Sequence, residues 1–333
     1  MVISQVSNEL PSISALLPSK NGARYLHRLI PRILTMLGEN DELIVVNDGS
    51  TDDSTLLLAN LAKIDTRLKV LVTEGVGLVS ALNLGIGNAK HPWIARFDVD
   101  DEYSLDRINL QRQLIGDDVA VIFSDYTFMS SGGFLLGTVP GAILSNPTKL
   151  SLVSSQRTPH PVALFNRAKV LSAGGYRVGD FPAEDLGLWL RLTKEGKFLS
   201  VPESLLNYRL SGGSISSSNR GMQLKQKSRM TVDFYHWQEL IDVCTQEFRH
   251  TTSCYLGERN STARLILHLR DLSIASKLTG ADFLIFKLIA KLPISTLVKF
   301  PFVLLDMLIK KLYRKLYRLA ENLFTISLKN QIG

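Results

Sequence analysis

The chain has 333 residues, 45% of them hydrophobic, two cysteines and a formal net charge of +7. That length and apolar share suit a packed core and exclude a wholly disordered chain. Cys244 and Cys254 form no CxxC pair and have no clustered histidines, so neither a zinc site nor a disulfide framework is expected, and a reducing compartment fits.

The opening MVISQVSNELPS has no basic stretch followed by an apolar one, so no secretory signal is expected. Apolar, partly β-branched runs then alternate with stretches of helical period. SISALL precedes a helix over 23–37, ELIVV one over 52–63, LKVLV one over 78–89 and WIARF one over 105–115, and VAVIF closes the series. This alternation predicts an α/β fold, a doubly wound and mostly parallel sheet whose ligands bind beyond the carboxyl ends of the strands. Polar residues stand at four successive strand ends: Lys20 and Asn21, Asn47 and Asp48, Glu74, and Asp98 to Asp101. Past about residue 130 the pattern turns irregular, and from Asn219 it is nearly all helical. Two domains are expected, residues 1–218 and a helical C-terminal region over 219–333.

The C-terminal region holds the charge. Between Phe283 and Arg318 lie eight basic residues and one acid, a net +7 that equals the excess for the whole chain. Leu305, Leu308, Leu312, Leu316 and Leu319 recur at helical spacing, with Lys310, Lys311, Arg314, Lys315 and Arg318 mostly off that stripe. Such a helix suits an anionic membrane surface, the alternative being a helix packed on the rest of the chain with a solvated basic face. No run is apolar enough to span a membrane. Nucleic acid is not expected as a partner, since no recognition motif or interleaved aromatic residues accompany the charge.

Two segments carry chemistry. In FDVDD, residues two apart on an extended backbone share a side, so Asp98 and Asp100 can converge on one ligand while Asp101 faces elsewhere. A hard divalent cation, Mg²⁺ or Mn²⁺, would relieve their mutual repulsion, its shell completed by phosphate oxygens. In VVNDGSTDDS, Asp48 closes an apolar strand where a nucleotide would lie, Gly49 permits a sharp turn, and Ser50 to Asp53 offer helix caps.

SALLPSKNGARYL, ELIVVNDGSTDDS, GLVSALNLGI, WIARFDVDD and GGYRVGDFPAEDLGLWLRL resemble, in order, the motifs of the family 2 inverting glycosyltransferases of GT-A fold, over about residues 12–216. The resemblance implies a GT-A domain using a nucleotide-sugar donor, most often a UDP-sugar. It assigns the donor to Pro18, Asn21, Asp48, Asp98 and Arg209, with Asp48 on uracil, Asp98 on ribose or sugar and Arg209 on the diphosphate. Asp100, with Asp98, would hold the Mn²⁺ or Mg²⁺. Asp185, the last residue of AED, would be the catalytic base, and Glu184, His160 and Trp189 would line the acceptor site. Bland alternatives accompany these roles: Glu184 and Asp185 favour a helix N-terminus through its dipole, His160 suits a structural contact, and Trp189, spaced with Leu188 and Leu192, suits a core. Gly75, Leu105 and Ser211 depart from the usual family pattern.

The implied activity is non-processive transfer of single sugars to a glycan or lipid-linked acceptor in bacterial surface polysaccharide or lipopolysaccharide assembly. The absence of a QxxRW motif agrees with single transfers. The implied location is cytoplasmic, peripheral at the inner face of the membrane. A dehydrogenase or kinase on the same kind of sheet lacks its GxGxxG or GxxxxGK[ST] loop here. A non-catalytic, membrane-tethered sugar-nucleotide binder is the remaining alternative, and the intact acidic set argues against it.

Overall fold

The computed structural model describes residues 10–139, 158–210 and 219–235. Its first half follows the alternation read above. Strands β1 (Ile13–Ser19), β2 (Glu42–Asp48), β3 (Leu68–Thr73) and β4 (Trp93–Arg96) are linked by helices α1 (Ala23–Met36), α2 (Ser54–Ile64) and α3 (Leu78–Asn88). All seven residues of β1 and of β2 are buried, as for central parallel strands covered on both faces. β3 is partly exposed, in keeping with its place at the sheet edge.

The two-residue side-chain period divides the core between the faces. Ile13, Ala15 and Leu17 of β1 join Leu43 and Val45 of β2 under α1, whereas Leu16, Ile44 and Val46 join Val79, Leu82 and Ile86 of α3. Gly85 brings α3 close to the sheet, because a Cβ there would lie 2.2 Å from Leu16 Cδ1.

After β4 come β5 (Glu102–Tyr103), the short helix α4 (Arg107–Arg112), β6 (Val119–Met129) and β7 (Leu135–Val139). A 3₁₀ turn (His160–Val162) leads into β8 (Leu164–Asn166), α5 (Arg167–Ser172), α6 (Glu184–Leu192), β9 (Lys197–Arg209) and α7 (Arg220–Tyr235). The strand order is β3-β2-β1-β4-β8-β6-β9-β5, with β7 paired to β6. β1 to β4 are parallel, β8 is antiparallel to both β4 and β6, β6 and β9 are parallel, and β5 and β7 are antiparallel to their neighbours. The sheet is thus parallel on one side of β4 and mixed on the other. The helix expected over 105–115 shortens to Arg107–Arg112.

One compact unit spans Met1–Phe234. Within it, Gln223 and Gln226 of α7 donate to the carbonyls of Pro182 (3.0 Å) and Gly179 (2.5 Å), which ties α7 to the segment before α6. Among the described residues no helix is long and apolar enough to cross a membrane. The basic segment with its leucine stripe, and the cysteines, lie outside the described residues.

Candidate active site

The carboxyl ends of β1 and β2 are tied together by their own loops. Asn21, with φ of 54°, accepts at Oδ1 from the Thr51 amide (2.8 Å), and its own amide donates to Ser50 Oγ (2.9 Å). Asp52 accepts from the Ala23 amide and the Ser54 amide, both at 3.0 Å, so one carboxylate serves the first residues of α1 and α2. The capping expected of Ser50 to Asp53 is therefore carried by Asp52, while Asp53 makes no side-chain cap bond. Pro18 is buried in β1, beyond Leu16, the last β1 residue paired with β4. Leu16 accepts from the Phe97 amide, so residue 18 turns its backbone to the same side, where β4 has ended and no ladder bond is lost to proline.

Asp48, the last residue of β2, accepts at Oδ1 from Thr73 Oγ1 and the Val76 amide, both 2.6 Å, and at Oδ2 from the Gly77 amide (2.9 Å). Gly75 and Gly77, with φ of 88° and 86°, let the loop fold back on the carboxylate. Burial pushes the Asp48 pKa up, but the bonds from Thr73, Val76 and Gly77, with Lys20 nearby, outweigh it and hold the carboxyl below its ordinary value. Asp48 is an anion that shapes the rim between β2 and α3.

At the end of β4, Arg96 is 2% exposed and forms an ion pair with Asp98. Burial works against its charge, and Asp98 more than restores it. The Asp98 amide donates to the Tyr103 hydroxyl (2.6 Å), which fixes the turn. Burial and then Asp98 push the Asp100 pKa up. Asp101 turns inward as a third, buried carboxyl: Oδ1 accepts from the Arg209 amide (2.7 Å) and Oδ2 is buried without a partner. Burial, then Asp98 and Asp100, raise its pKa well above the ordinary value. The Arg209 guanidinium meets the chain itself, through the Asp100 carbonyl (2.8 Å), the Glu102 carboxylate (2.9 Å) and the Ser131 carbonyl (3.1 Å).

The AED triplet opens α6 from the other half of the sheet. Asp185 is half-buried, its Oδ1 accepting from the Leu186 amide (2.7 Å). Glu184 is 6% exposed, its Oε2 buried without a partner, and its pKa is pushed up to about 7 by burial and then by Asp185, with Arg96 opposing and Asp98 adding. Buried Tyr176 feels Arg96, Asp185, Glu184 and Asp98, and its hydroxyl hydrogen-bonds His160 Nε2 at 2.6 Å. Asp98 and Glu184, 86 residues apart in the chain, thus feel one buried arginine, Asp98 by an ion pair and Glu184 through its charge.

Two acceptor-side expectations are corrected. Trp189 is 0% exposed, packed edge-on to Phe123 (5.3 Å) and close to His160 (5.9 Å), because it lies on the inward face of α6 with Leu188 and Leu192; it offers no face to a sugar. His160 is buried too, with Nε2 bound to Tyr176, and burial together with Arg96 keeps the ring neutral by lowering its pKa well below the ordinary value.

Arg96, Tyr103, Tyr176, Arg107 and Gln111 also shape this region, and no motif in the sequence singles them out. Arg96 had a signal, a charged residue inside the apolar run WIARF two positions before an acid. Arg107, 0% exposed, donates to the Arg96 carbonyl (2.7 Å) and lies 4.0 Å from the Phe97 ring centre. Burial pushes its pKa down to about 9. Gln111 donates to the carbonyls of Ile122 (3.1 Å) and Val162 (2.7 Å). Together these side chains satisfy carbonyls where β4 and β6 part beyond the end of three-residue β8.

The donor set suits a divalent cation in part. Among the described residues no three Asp, Glu, His or Cys side chains form a metal cage. Asp98 and Asp100 would offer hard oxygen ligands, and the burial and repulsion that oppose ionisation of Asp100 are costs a cation would offset. One or two carboxylates completed by substrate phosphates is the arrangement Mg²⁺ favours.

Residues 14–153 match the family model described as Glycosyl transferase family 2. A Haemophilus influenzae "Uncharacterized glycosyltransferase" is 27% identical over 250 residues, 70% of this chain and 77% of the relative. TuaG of Bacillus subtilis, described as a putative teichuronic acid biosynthesis glycosyltransferase, is 27% identical over 217 residues, 64% of this chain and 84% of the relative. The chain spans 34% of a longer relative from Rickettsia conorii. Among solved structures, S. aureus TarS in complex with UDP-GlcNAc superposes with a TM-score of 0.54 at 16% identity, covering 84% of this chain and 88% of that one. A mannosyltransferase from Pyrobaculum calidifontis in complex with GDP-Man and Mn²⁺ gives 0.52 at 14% identity, covering 85% and 87%. The fold and the family match agree: residues 14–153 are similar to glycosyl transferase family 2, and the chain carries the GT-A fold and is a glycosyltransferase.

Proposed function

We propose that this glycosyltransferase moves a sugar from a nucleotide-sugar, with UDP as the preferred nucleotide, to a hydroxyl of a glycan or lipid-linked acceptor in surface polysaccharide assembly, with inversion at the anomeric carbon. The observation that carries the reading is the unlike setting of two adjacent carboxyls: Glu184 is buried and favours its proton, while Asp185 beside it is half-buried and reachable. Asp185 takes the proton of the acceptor hydroxyl as its oxygen bonds to the anomeric carbon. The bond from that carbon to the diphosphate oxygen breaks, and its electron pair leaves with the nucleotide. Pro18, Asn21 and Asp48 form the donor rim, and Asp98, held by Arg96, faces the sugar or ribose. Asp98 and Asp100 would hold Mn²⁺ or Mg²⁺, which supplies charge neutralisation at the departing diphosphate. The TarS complex with UDP-GlcNAc supports the donor class, the Mn²⁺ in the mannosyltransferase supports the metal, and TuaG supports the pathway. The basic, leucine-striped C-terminal segment supports attachment at an anionic membrane surface on the cytoplasmic side.

The decisive experiment is Asp185→Asn, which keeps the shape and removes the basicity. Turnover is expected to fall by about 10²- to 10⁴-fold with UDP binding by calorimetry unchanged. Weakened UDP binding with near-normal turnover at saturation would move the base elsewhere.

A further inference from the structure

We propose that Arg209 is a positioning residue that clamps the acidic turn Asp100–Glu102, so that the Asp100 carboxylate is presented to the cation, and that it does not itself grip the donor diphosphate. This rests on the reading of Asp98 and Asp100 as cation ligands. Arg209 ends β9, where Met129 of β6 pairs with it on one side and β5 is paired with Leu206 and Asn207 on the other. From there it touches three consecutive residues of the turn: its amide donates to Asp101 Oδ1 (2.7 Å), its Nε to the Asp100 carbonyl (2.8 Å) and one Nη to Glu102 Oε1 (2.9 Å). The other Nη donates to the Ser131 carbonyl (3.1 Å), which fastens the turn to the β6–β7 connection. The side chain is 13% exposed, so its fork is occupied and largely covered.

The turn needs such a clamp. Asp98, Asp100 and Asp101 lie within four residues, so three carboxyls crowd one short turn whose backbone has to be held in place. Asp101 Oδ2 has no partner among the described residues, so the carboxyl is held through Oδ1 on the Arg209 amide. Carbonyl, carboxylate and amide contacts from a single residue fix the backbone on both sides of Asp101 without occupying the Asp100 carboxylate. Lysine would keep the charge and lose the planar fork that reaches three acceptors.

The test uses the full-length chain as wild type, Arg209→Ala and Arg209→Lys, with Mn²⁺ titrated in the presence of UDP and followed by electron paramagnetic resonance. A residue that orients a metal ligand is expected to cost about 10- to 100-fold in Mn²⁺ affinity in Arg209→Ala, with Arg209→Lys only partly restored. UDP binding in EDTA is expected to stay unchanged, and the amides of 98–103 and 131–133 to lose hydrogen-exchange protection. Loss of metal-free UDP binding with Mn²⁺ affinity preserved would overturn the inference in favour of a diphosphate grip, as would unchanged exchange across the turn. Wild-type protein that binds no Mn²⁺ would overturn the underlying metal reading and this inference with it; wild-type binding matched by Arg209→Ala would overturn this inference alone. Should Arg209→Ala fail to fold, Glu102→Gln, at a side chain 54% exposed, removes one anchor and is expected to weaken Mn²⁺ in the same direction; no weakening counts against the clamp.

Discussion

Replacing Glu184 by glutamine separates the electrostatic cost of this carboxyl from its shape. Its pKa rises from an ordinary 4.5 to about 7, chiefly through burial and then through Asp185. An acid whose folded pKa is raised is at no disadvantage below its unfolded pKa, and stability is lost as pH climbs from there through the folded value. At about 1.4 kcal/mol per pH unit the full penalty is about 3 kcal/mol, reached above pH 7. Glutamine fills the same space and is neutral throughout, so Glu184→Gln is expected to melt near wild type at pH 5 and about 6–12 °C higher at pH 8, at the usual response of a unit this size. Calorimetric scans of both proteins from pH 5 to 8, in chelator so that no cation offsets the charge, check this. An offset independent of pH, or a Glu184→Gln protein less stable at pH 8, would refute the reasoning and mean that Glu184 is ionised and paired at neutral pH.

Two further outcomes are expected. Transfer activity, assayed as release of UDP, is expected to vanish in EDTA and return with Mn²⁺ or Mg²⁺, whereas Asp100→Ala stays inactive in excess metal; full activity in chelator would remove the cation from the mechanism. Trp189→Ala is expected to cost about 3–5 kcal/mol in urea unfolding, as for other large buried aromatics, whereas a raised acceptor KM at unchanged stability would restore a sugar-stacking role.

The parallel half of the fold was legible because strand and helix differ in period, and each crossover lies within a local window. The mixed half was not, since β5 has two residues and β8 three, and β9 carries Pro202 and Glu203 amid its apolar residues. Their pairing is fixed by partners far along the chain. Asp48, Asp98 and Asp100 could be singled out because each stands at or just past a strand end, and Asp185 through the resemblance of the AED triplet to the family motif. The approach of Asp98 and Glu184 to Arg96 is a tertiary fact, with the arginine as its local trace. Trp189 shows the converse: one helical face can be read as core or as ligand surface, and the aromatic neighbours Phe123, Phe165 and Phe198 decide it.

Where β4 and β6 part, Arg107 and Gln111 stand in for backbone donors, and this narrows which sequences the fold accepts. An apolar core position tolerates several hydrophobes of similar volume. Position 107 must deliver a planar set of donors to the Arg96 carbonyl while stacking on Phe97, in a space closed to water. Position 111 must both accept from Arg107 and donate to two carbonyls, which an amide does and a carboxylate does not. Volume can be redistributed among neighbours, but a missing donor cannot, so drift in this chain is expected to be freer among its buried leucines than at these two polar positions, although neither has been given a place in the chemistry.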